Sequence, residues 1–519
     1  MKKRRDSERN QQNFHQQSLE AIVDVEAKLQ QAFSLSQEGK TQQAEQICQQ
    51  ILTGDPQNAE AIHLLGIIAY QVGKNEIAIS LIKRAIEIDS RQPAFYNNLG
   101  NSLRDQGKLV ESVQAYSKAI QIQPSSAEIY NNLGVVLQEQ GKLKEAVQAY
   151  EKALEIRPDC TGFYLNFGNV LQEQGELEKS IKAYREAIQI QPDSAEAHKN
   201  LGMSLLLAGS FNDGWEQFAW RWKCQDLIAG KRDFPQPNWD GSNLRGKSIL
   251  VWTEQGIGDE IMFASMLPDL SEMGTNVIVE CDTRLVPLFQ RSFPQIQFLS
   301  RQISPHPRLF DANNIDYQVP MGNLGQWLRS NEDSFTASNY LLPCPKKTAQ
   351  LRQKYKNLAD DKLLVGISWK STNRDIGKSK STSLKDWTSI LSQGDCYFVN
   401  LQYGDTKSEI EEYVSDKNNI SIYQDEEINP LTDLDGFAAQ VLALDLVIST
   451  SNTTVHIAGA LGQSVWTLLR LVPSWRWMVQ RDDTLWYPRM KLFRQHQLGD
   501  WSHVFDEVKQ ALKSYIANE

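Results

Sequence analysis

Apolar and small residues return with one fixed period along the first two hundred positions. Glycine stands at 39, 73, 107, 141, 175 and 209, and again at 66, 100, 134, 168 and 202, both ladders stepping by 34 residues. Alanine recurs at 85, 119, 153 and 187, and proline at 56, 124, 158 and 192, while Tyr116, Tyr150, Tyr184 and Phe218 supply a large aromatic. Apolar positions at helical spacing between these marks predict two amphipathic helices per period. The 66–202 glycines, among them those of Leu99-Gly100, Leu133-Gly134 and Leu201-Gly202, with Phe167-Gly168 keeping the glycine, mark where the two helices press together, because a residue without Cβ permits the approach. The 39–209 glycines close the first helix in left-handed backbone. The prolines end the second, lacking an amide donor and clashing with the preceding turn.

A helix–turn–helix unit of this length is identified as a tetratricopeptide repeat, which stacks into an α-solenoid. Five full units are expected between about 23 and 192, and a sixth, degenerate unit ends near 226. Its second helix, FNDGWEQFAWRW, carries Trp215, Trp220 and Trp222 where other units are polar. That composition predicts a terminal unit docked on the domain that follows.

After a Pro- and Trp-rich connector (FPQPNWDGSNLRGK) the pattern changes to short apolar runs alternating with helical ones. Strands are expected at Ser248–Thr253, Val277–Glu280, Leu363–Trp369, Tyr397–Leu401 and Leu444–Ser449. Helices are expected over IMFASMLPDL (261–270), Lys385–Leu391, Ser408–Val414 and His456–Leu461. Two such series predict two parallel sheets. The fold class is therefore α plus α/β: a disordered polar tail at 1–22, the solenoid at 23–226, a connector at 227–246, and two Rossmann-like lobes at 247–345 and 346–519. Ligands of such sheets bind beyond the carboxyl ends of the strands.

The net charge of −10 offers no general attraction to nucleic acid. No apolar run reaches membrane-spanning length, and the opening MKKRRDSERNQQNFHQQ lacks the apolar segment of a secretory signal. Six cysteines without CxxC spacing argue against a zinc cluster or a disulfide framework and fit a reducing cytoplasm.

Three glycine-rich or hydroxyl-rich stretches compete as anion sites. Gly241–Ser248 matches the P-loop pattern but precedes a strand instead of following one. Gly256-Ile-Gly258 begins a dinucleotide fingerprint, yet Ile261 stands where the third glycine belongs, which disfavours hydride chemistry. Thr450–His456 (TSNTTVH) follows a strand and opens a helix, so its hydroxyls and amides suit an anion, and equally a plain cap. Asp433-Leu-Asp435 precedes a helix and reads as a cap, so no metal is expected. A last ladder, Asn98, Asn132, Asn166 and Asn200, implies repeated hydrogen bonds. Either each amide ties neighbouring repeats together, or the row lines the groove and grips the backbone of an extended peptide.

The repeat half resembles that of the protein O-GlcNAc transferases, in which such an asparagine ladder holds a polypeptide acceptor. In the second half TEQGIGDEIMF, ISWKSTNRD with Lys380-Ser381, LDLVISTSNTTVHIAGALG, VPSWRWM and LWYPRMKLFRQ together resemble a bacterial group. Its members join tetratricopeptide repeats to a domain similar to the ADP-heptose:lipopolysaccharide heptosyltransferases. The resemblance covers about 210–510 and implies a two-lobed GT-B glycosyltransferase, with the acceptor in the first lobe and a nucleotide-diphosphate sugar as substrate in the second. It implies an inverting, metal-independent transfer without a cofactor.

The resemblance also assigns residues. Asp259 matches the catalytic aspartate of the family's Gly-Asp turn, as a general base toward the acceptor hydroxyl; otherwise it caps the helix at Glu260. Lys380 matches the basic residue facing the diphosphate, with Lys378 as a competitor. His456 matches the histidine near that diphosphate, with Thr453 and Thr454 beside it. Ser451 and Asn452 depart from the family, standing where Asp and Thr are usual, which bears on donor identity and activity. Gln402 and Tyr403, beyond a strand, are placed toward base or ribose, and Trp475, Arg476 and Trp477 read as lobe packing. The functions to separate are a glycosyltransferase whose repeats recruit a protein or peptide acceptor, and a non-catalytic repeat scaffold with a degenerate transferase domain.

Overall fold

The computed structural model describes residues 23–228, 230–310, 314–336, 338–371, 377–415 and 420–518. The polar tail expected at 1–22 lies outside them. The chain packs as two compact units, one reaching Glu173 together with Gln189–Pro192, the other Gln174–Ile188 with Asp193–Glu519.

The first unit is built of antiparallel helix pairs. Its helices are α1 (23–37), α2 (Thr41–Gly54), α3 (Ala59–Gln71), α4 (Asn75–Ile88), α5 (Pro93–Asp105), α6 (Leu109–Ile122), α7 (Ala127–Glu139), α8 (Leu143–Ile156) and α9 (Thr161–Glu173). The turn glycines, continuing to Gly175 and Gly209, all take φ between +72° and +84°, where a side chain is strained. The mid-helix glycines answer a different need. A Cβ on Gly100 would lie 2.6 Å from the Tyr116 ring, and one on Gly134 2.6 Å from the Tyr150 ring. Each aromatic thus fills the space that its glycine leaves, and both tyrosines are fully buried.

In the second unit, α10 (Leu177–Ile190), α11 (Ala195–Leu207) and α12 (Phe211–Phe218) lead into a 3₁₀ turn at Ala219–Lys223. Two all-parallel sheets follow. The first comprises β1 (Ser248–Trp252), β2 (Asn276–Cys281), β3 (Gln297–Ser300) and β4 (Tyr317–Pro320), in the order β3-β2-β1-β4. The second comprises β5 (Leu363–Ser368), β6 (Cys396–Asn400), β7 (Ile422–Tyr423), β8 (Leu446–Thr450), β9 (Val465–Leu469) and β10 (Met490–Arg494), ordered β10-β9-β8-β5-β6-β7. Counted from its own first strand this is 3-2-1-4-5-6, the doubly wound order, with the direction of winding reversing between β5 and β8. In the first sheet the reversal lies between β1 and β4.

The helix expected over 261–270 is two helices, Ile257–Ala264 and Leu267–Glu272. Pro268 has no amide donor, so the chain restarts with proline in a first turn instead of continuing. The Asp433 carboxylate caps the helix Leu434–Leu442, accepting from the Gly436 amide at 2.8 Å, while Asp435 holds Arg291 through two bonds of 2.6 and 2.8 Å. None of the six cysteines forms a disulfide among the described residues. No helix among the described residues is long and apolar enough to cross a membrane.

The sixth helix pair is built into the sheet region. Trp215 is buried against Phe263 and Trp475, and its indole Nε1 donates to the Arg329 carbonyl at 2.8 Å. Trp222 packs on Trp252 of β1. Arg221, fully buried, forms a two-point ion pair with Glu254, whose carboxylate also accepts the Gly322 amide at 3.0 Å. One continuous apolar core runs from Leu206 and Trp215 through the first sheet to Val447, Val465 and Trp477 of the second. The connector is packed as well, with Phe234 and Trp239 buried and Asn238 bridged to Gln318 of β4.

Candidate functional site

Three strand ends converge on one cleft of about 640 Å³. From β1 the chain passes through Gln255 and Gly256 into the Ile257–Ala264 helix, whose first turn carries Asp259. From β5 it passes to Ser371, with Lys380 beyond, and from β8 to Ser451 and Asn452, which open the Thr453–Ala460 helix. Asp259, Lys380, Ser451, Asn452, Thr453 and His456 all line this cleft, with Gly258, Tyr403 and Arg476 among them. The Asp259 turn and the His456 helix pack directly together. A Cβ on Gly258 would lie 2.8 Å from the His456 ring, so this glycine permits the approach.

The carboxylate of Asp259 forms an ion pair with the guanidinium of Arg476, whose Nη1 also donates to Ser474 at 2.6 Å and whose Nη2 reaches Gln255 at 3.3 Å. Asp259 accepts weakly from the Gly256 amide at 3.4 Å, so capping and ion pairing coexist. Gln255 and Met478, flanking this pair in the chain, hold φ of +63° and +48°, a left-handed conformation costly for residues with side chains.

Positive charge gathers opposite. Burial, reinforced by Arg476 and Arg470, pushes the Lys380 ammonium down to about 8, against the pull of Asp259. Burial first, then Arg476 and Lys380, holds His456 well below the usual histidine range, so its imidazole is neutral. It is fixed by a 2.8 Å hydrogen bond between Nδ1 and the Tyr487 hydroxyl and by stacking on Trp477. The Lys378 side chain lies outside the described residues.

Other residues singled out in the sequence are committed internally. Asn452 caps its helix, accepting from the Thr454 amide at 2.9 Å, and donates to Ser368 Oγ and the Lys370 carbonyl at 2.7 and 3.0 Å. Ser451 Oγ accepts from the Trp477 indole at 2.8 Å, and Thr454 is fully buried. Gln402 Oε1 accepts from Ser368 Oγ and from the amides of Trp369 and Lys370, holding the loop after β5. Gln402 lines an adjoining cavity of about 400 Å³ with Asn400, Asp405 and Gln424.

The sequence reading treats Trp475, Arg476 and Trp477 as one packing group, and the structure divides it. Trp475 and Trp477 are buried, whereas Arg476 faces the cleft. The signal for Arg476 in the sequence is a cation between two tryptophans, which core packing alone does not require.

In the first unit the asparagine ladder has partners. The Asn98 amide bonds His63 Nε2 at 3.0 Å, that of Asn132 donates to Asn97 Oδ1 at 3.1 Å, and that of Asn166 to Asn131 Oδ1 at 3.0 Å. Each rung joins one repeat to the preceding one, and all three side chains are half-buried. Asn200 is half-buried in the second unit; the residue 35 positions before it is Leu165, so the polar pair is not repeated in the sequence.

Models of the tetratricopeptide repeat match residues 35–99, 100–141, 127–160 and 168–209. The N-terminal half therefore carries these repeats, ahead of a region of parallel sheets. Protein FlbA of Caulobacter vibrioides is 33% identical over 327 residues, 60% of this chain and 54% of that protein. The chain thus spans about half the length of the curated relative that it matches. Similar solved structures include PilF of Pseudomonas aeruginosa, at 23% identity, 40% of this chain, 93% of that one and a TM-score of 0.36. Another is YrrB, described as a tetratricopeptide-repeat protein with an unusual peptide-binding site, at 20% identity, 34% and 92% coverage and a TM-score of 0.30.

Proposed function

We propose that the chain is a glycosyltransferase of GT-B type that moves a sugar from a nucleotide-diphosphate donor to a hydroxyl, with the repeats recruiting a protein or peptide acceptor. The observation that carries this reading is the meeting of Asp259, Lys380, Arg476 and the Thr453–Ala460 helix start in one cleft at the carboxyl ends of β1, β5 and β8. These are the strands at which each sheet reverses its winding, where ligands of doubly wound sheets bind.

In this mechanism Asp259 accepts the proton of the acceptor hydroxyl as its oxygen attacks the anomeric carbon. The bond from that carbon to the diphosphate oxygen breaks, and the nucleoside diphosphate leaves with the electron pair. Lys380, Arg476 and the helix N-terminus offset the negative charge that develops there. Neutral His456 adds no charge; it holds the helix start through Tyr487 and Trp477. Direct displacement by one carboxylate base inverts the anomeric centre, and no step calls for a metal. In the groove the rungs use one N–H of each amide, leaving Oδ1 of Asn98, Asn132 and Asn166 to accept from a peptide backbone.

A second reading is a repeat scaffold whose transferase domain only binds. It is favoured by the Arg476 ion pair that occupies Asp259, and by serine and asparagine at 451 and 452 committed within the fold. A scan of nucleotide-sugar binding, followed by transfer assays on wild type and Asp259→Asn, separates the two. Turnover that depends on Asp259 supports the enzyme; tight donor binding without turnover under any acceptor leaves the scaffold.

A further inference from the structure

We propose that His496, His503 and Glu507 form a binding site for a borderline divalent cation of the Zn²⁺ class, joining the C-terminal helix to the edge of the second sheet. The cavity it lines shares no residue with the cleft, and the proposal is independent of the reading given to that cleft. One ligand atom from each of the three residues can be chosen so that all lie within 4.8 Å of one another. The imidazole rings face each other at 3.8 Å between centroids, and His503 Nδ1 lies 3.6 Å from Glu507 Oε1.

The local sequence, RQHQLGDWSHVFDEV, explains the convergence. His503 and Glu507 are four residues apart on the helix Ser502–Ile516 and so share a face. Asp500 starts that helix, accepting from the Ser502 amide at 2.9 Å and its hydroxyl at 2.6 Å. The opposite face buries Val504, Phe505, Val508 and Leu512 in the core beneath the sheet. His496 arrives from β10, the edge strand, two residues beyond its end. The preceding residue is fixed: the Gln495 amide donates to the Leu469 carbonyl at 2.9 Å, and its side chain accepts from the Leu471 and Gly499 amides. Gly499, at φ +79°, turns the loop back toward the helix. The two elements that present the ligands are therefore set by packing and not by the ligands themselves.

Two imidazoles and one carboxylate suit Zn²⁺, Co²⁺ or Ni²⁺, with water completing the sphere, whereas Ca²⁺ and Mg²⁺ prefer oxygen alone. Asp482 and Asp506 line the same cavity and add negative potential. Both histidines are exposed, so solvent has access and substitution leaves the core intact.

The test is calorimetric titration of untagged, chelator-stripped full chain with Zn²⁺, with Ca²⁺ for contrast. One Zn²⁺ per chain is expected, with binding weakened more than about 10-fold in His496→Ala and in His503→Ala. The unfolding temperature should rise with Zn²⁺ in wild type and not in either variant. Co²⁺ absorption in the wild-type chain reports imidazole ligation without any substitution and guards against a misfolded variant. Absence of saturable Zn²⁺ binding, binding unchanged in both variants, or a Co²⁺ spectrum of the aqua ion would each overturn the proposal.

Discussion

The guanidinium of Arg476, on the turn between β9 and β10, closes on the carboxylate of Asp259, on the first turn after β1, so the candidate base is paired with a cation from the other sheet. On the proposed mechanism a donor phosphate would compete for the same guanidinium and release Asp259 to act as the base. Asp259→Asn should lower transfer roughly 10²–10⁴-fold while donor binding is kept or tightened. Single-turnover transfer and calorimetry on the same preparation check this. Parallel loss of both would assign Asp259 to structure.

Lys380 predicts a pH dependence. Its ammonium, pushed down to about 8, loses its charge as the pH rises through that value, so donor affinity should fall above pH 8. Lys380→Arg keeps its charge and should flatten the profile. An unchanged slope in that variant would move the titration elsewhere. The effect on stability runs the opposite way: the protonated form is disfavoured in the fold, so this contribution is full above 10.5 and is lost as the pH falls through about 8.

Glu260, next to Asp259, is buried and accepts the Asp282 amide at 2.9 Å. Burial raises its carboxyl to about 7 from 4.5. The fold thus binds a proton that the unfolded chain releases; this stability is full below 4.5 and lost as the pH rises through 7. Glu260→Gln should therefore stabilise the chain by up to about 3 kcal/mol at pH 8 and much less at pH 5. Denaturant midpoints at the two pH values decide it, and equal shifts would refute it.

The two glycine ladders should respond differently to alanine. Gly134→Ala drives a methyl into the Tyr150 ring, at a cost of about 1–3 kcal/mol, and Tyr150→Leu in the same chain should recover part of it. Gly107→Ala meets open space but must hold φ of +72°, costing about 1–2 kcal/mol, and Gly107→Asn should cost less. Thermal unfolding of the four variants reads out both rescues.

The repeats are legible because their period leaves marks that chemistry makes hard to replace: glycine at positive φ, glycine beneath a tyrosine, proline past a helix end. Five strands are legible from apolar runs alone, whereas Gln297–Ser300, Tyr317–Pro320, Ile422–Tyr423, Val465–Leu469 and Met490–Arg494 are not, the first three being four residues or fewer. Strand order was beyond reach, since nothing local says that β8 lies against β5. In the cleft, Asp259 and His456 are legible through resemblance, whereas Arg476 is masked by the tryptophans on either side. Asn452 and Gln402 show the converse: their polar groups invited a ligand, and the fold had already used them.

Burial of Trp215 and Arg221 beneath the first sheet has a practical corollary for dissecting the molecule. A fragment cut where the 34-residue rhythm ends would strip Glu254 of its counterion and lay bare the apolar bed of Phe263 and Trp475. Excision that keeps α10 to α12 should yield a well-behaved, monodisperse product, while one starting at Ser248 should precipitate. For the purposes of cloning, the last repeat helices belong to the sheets.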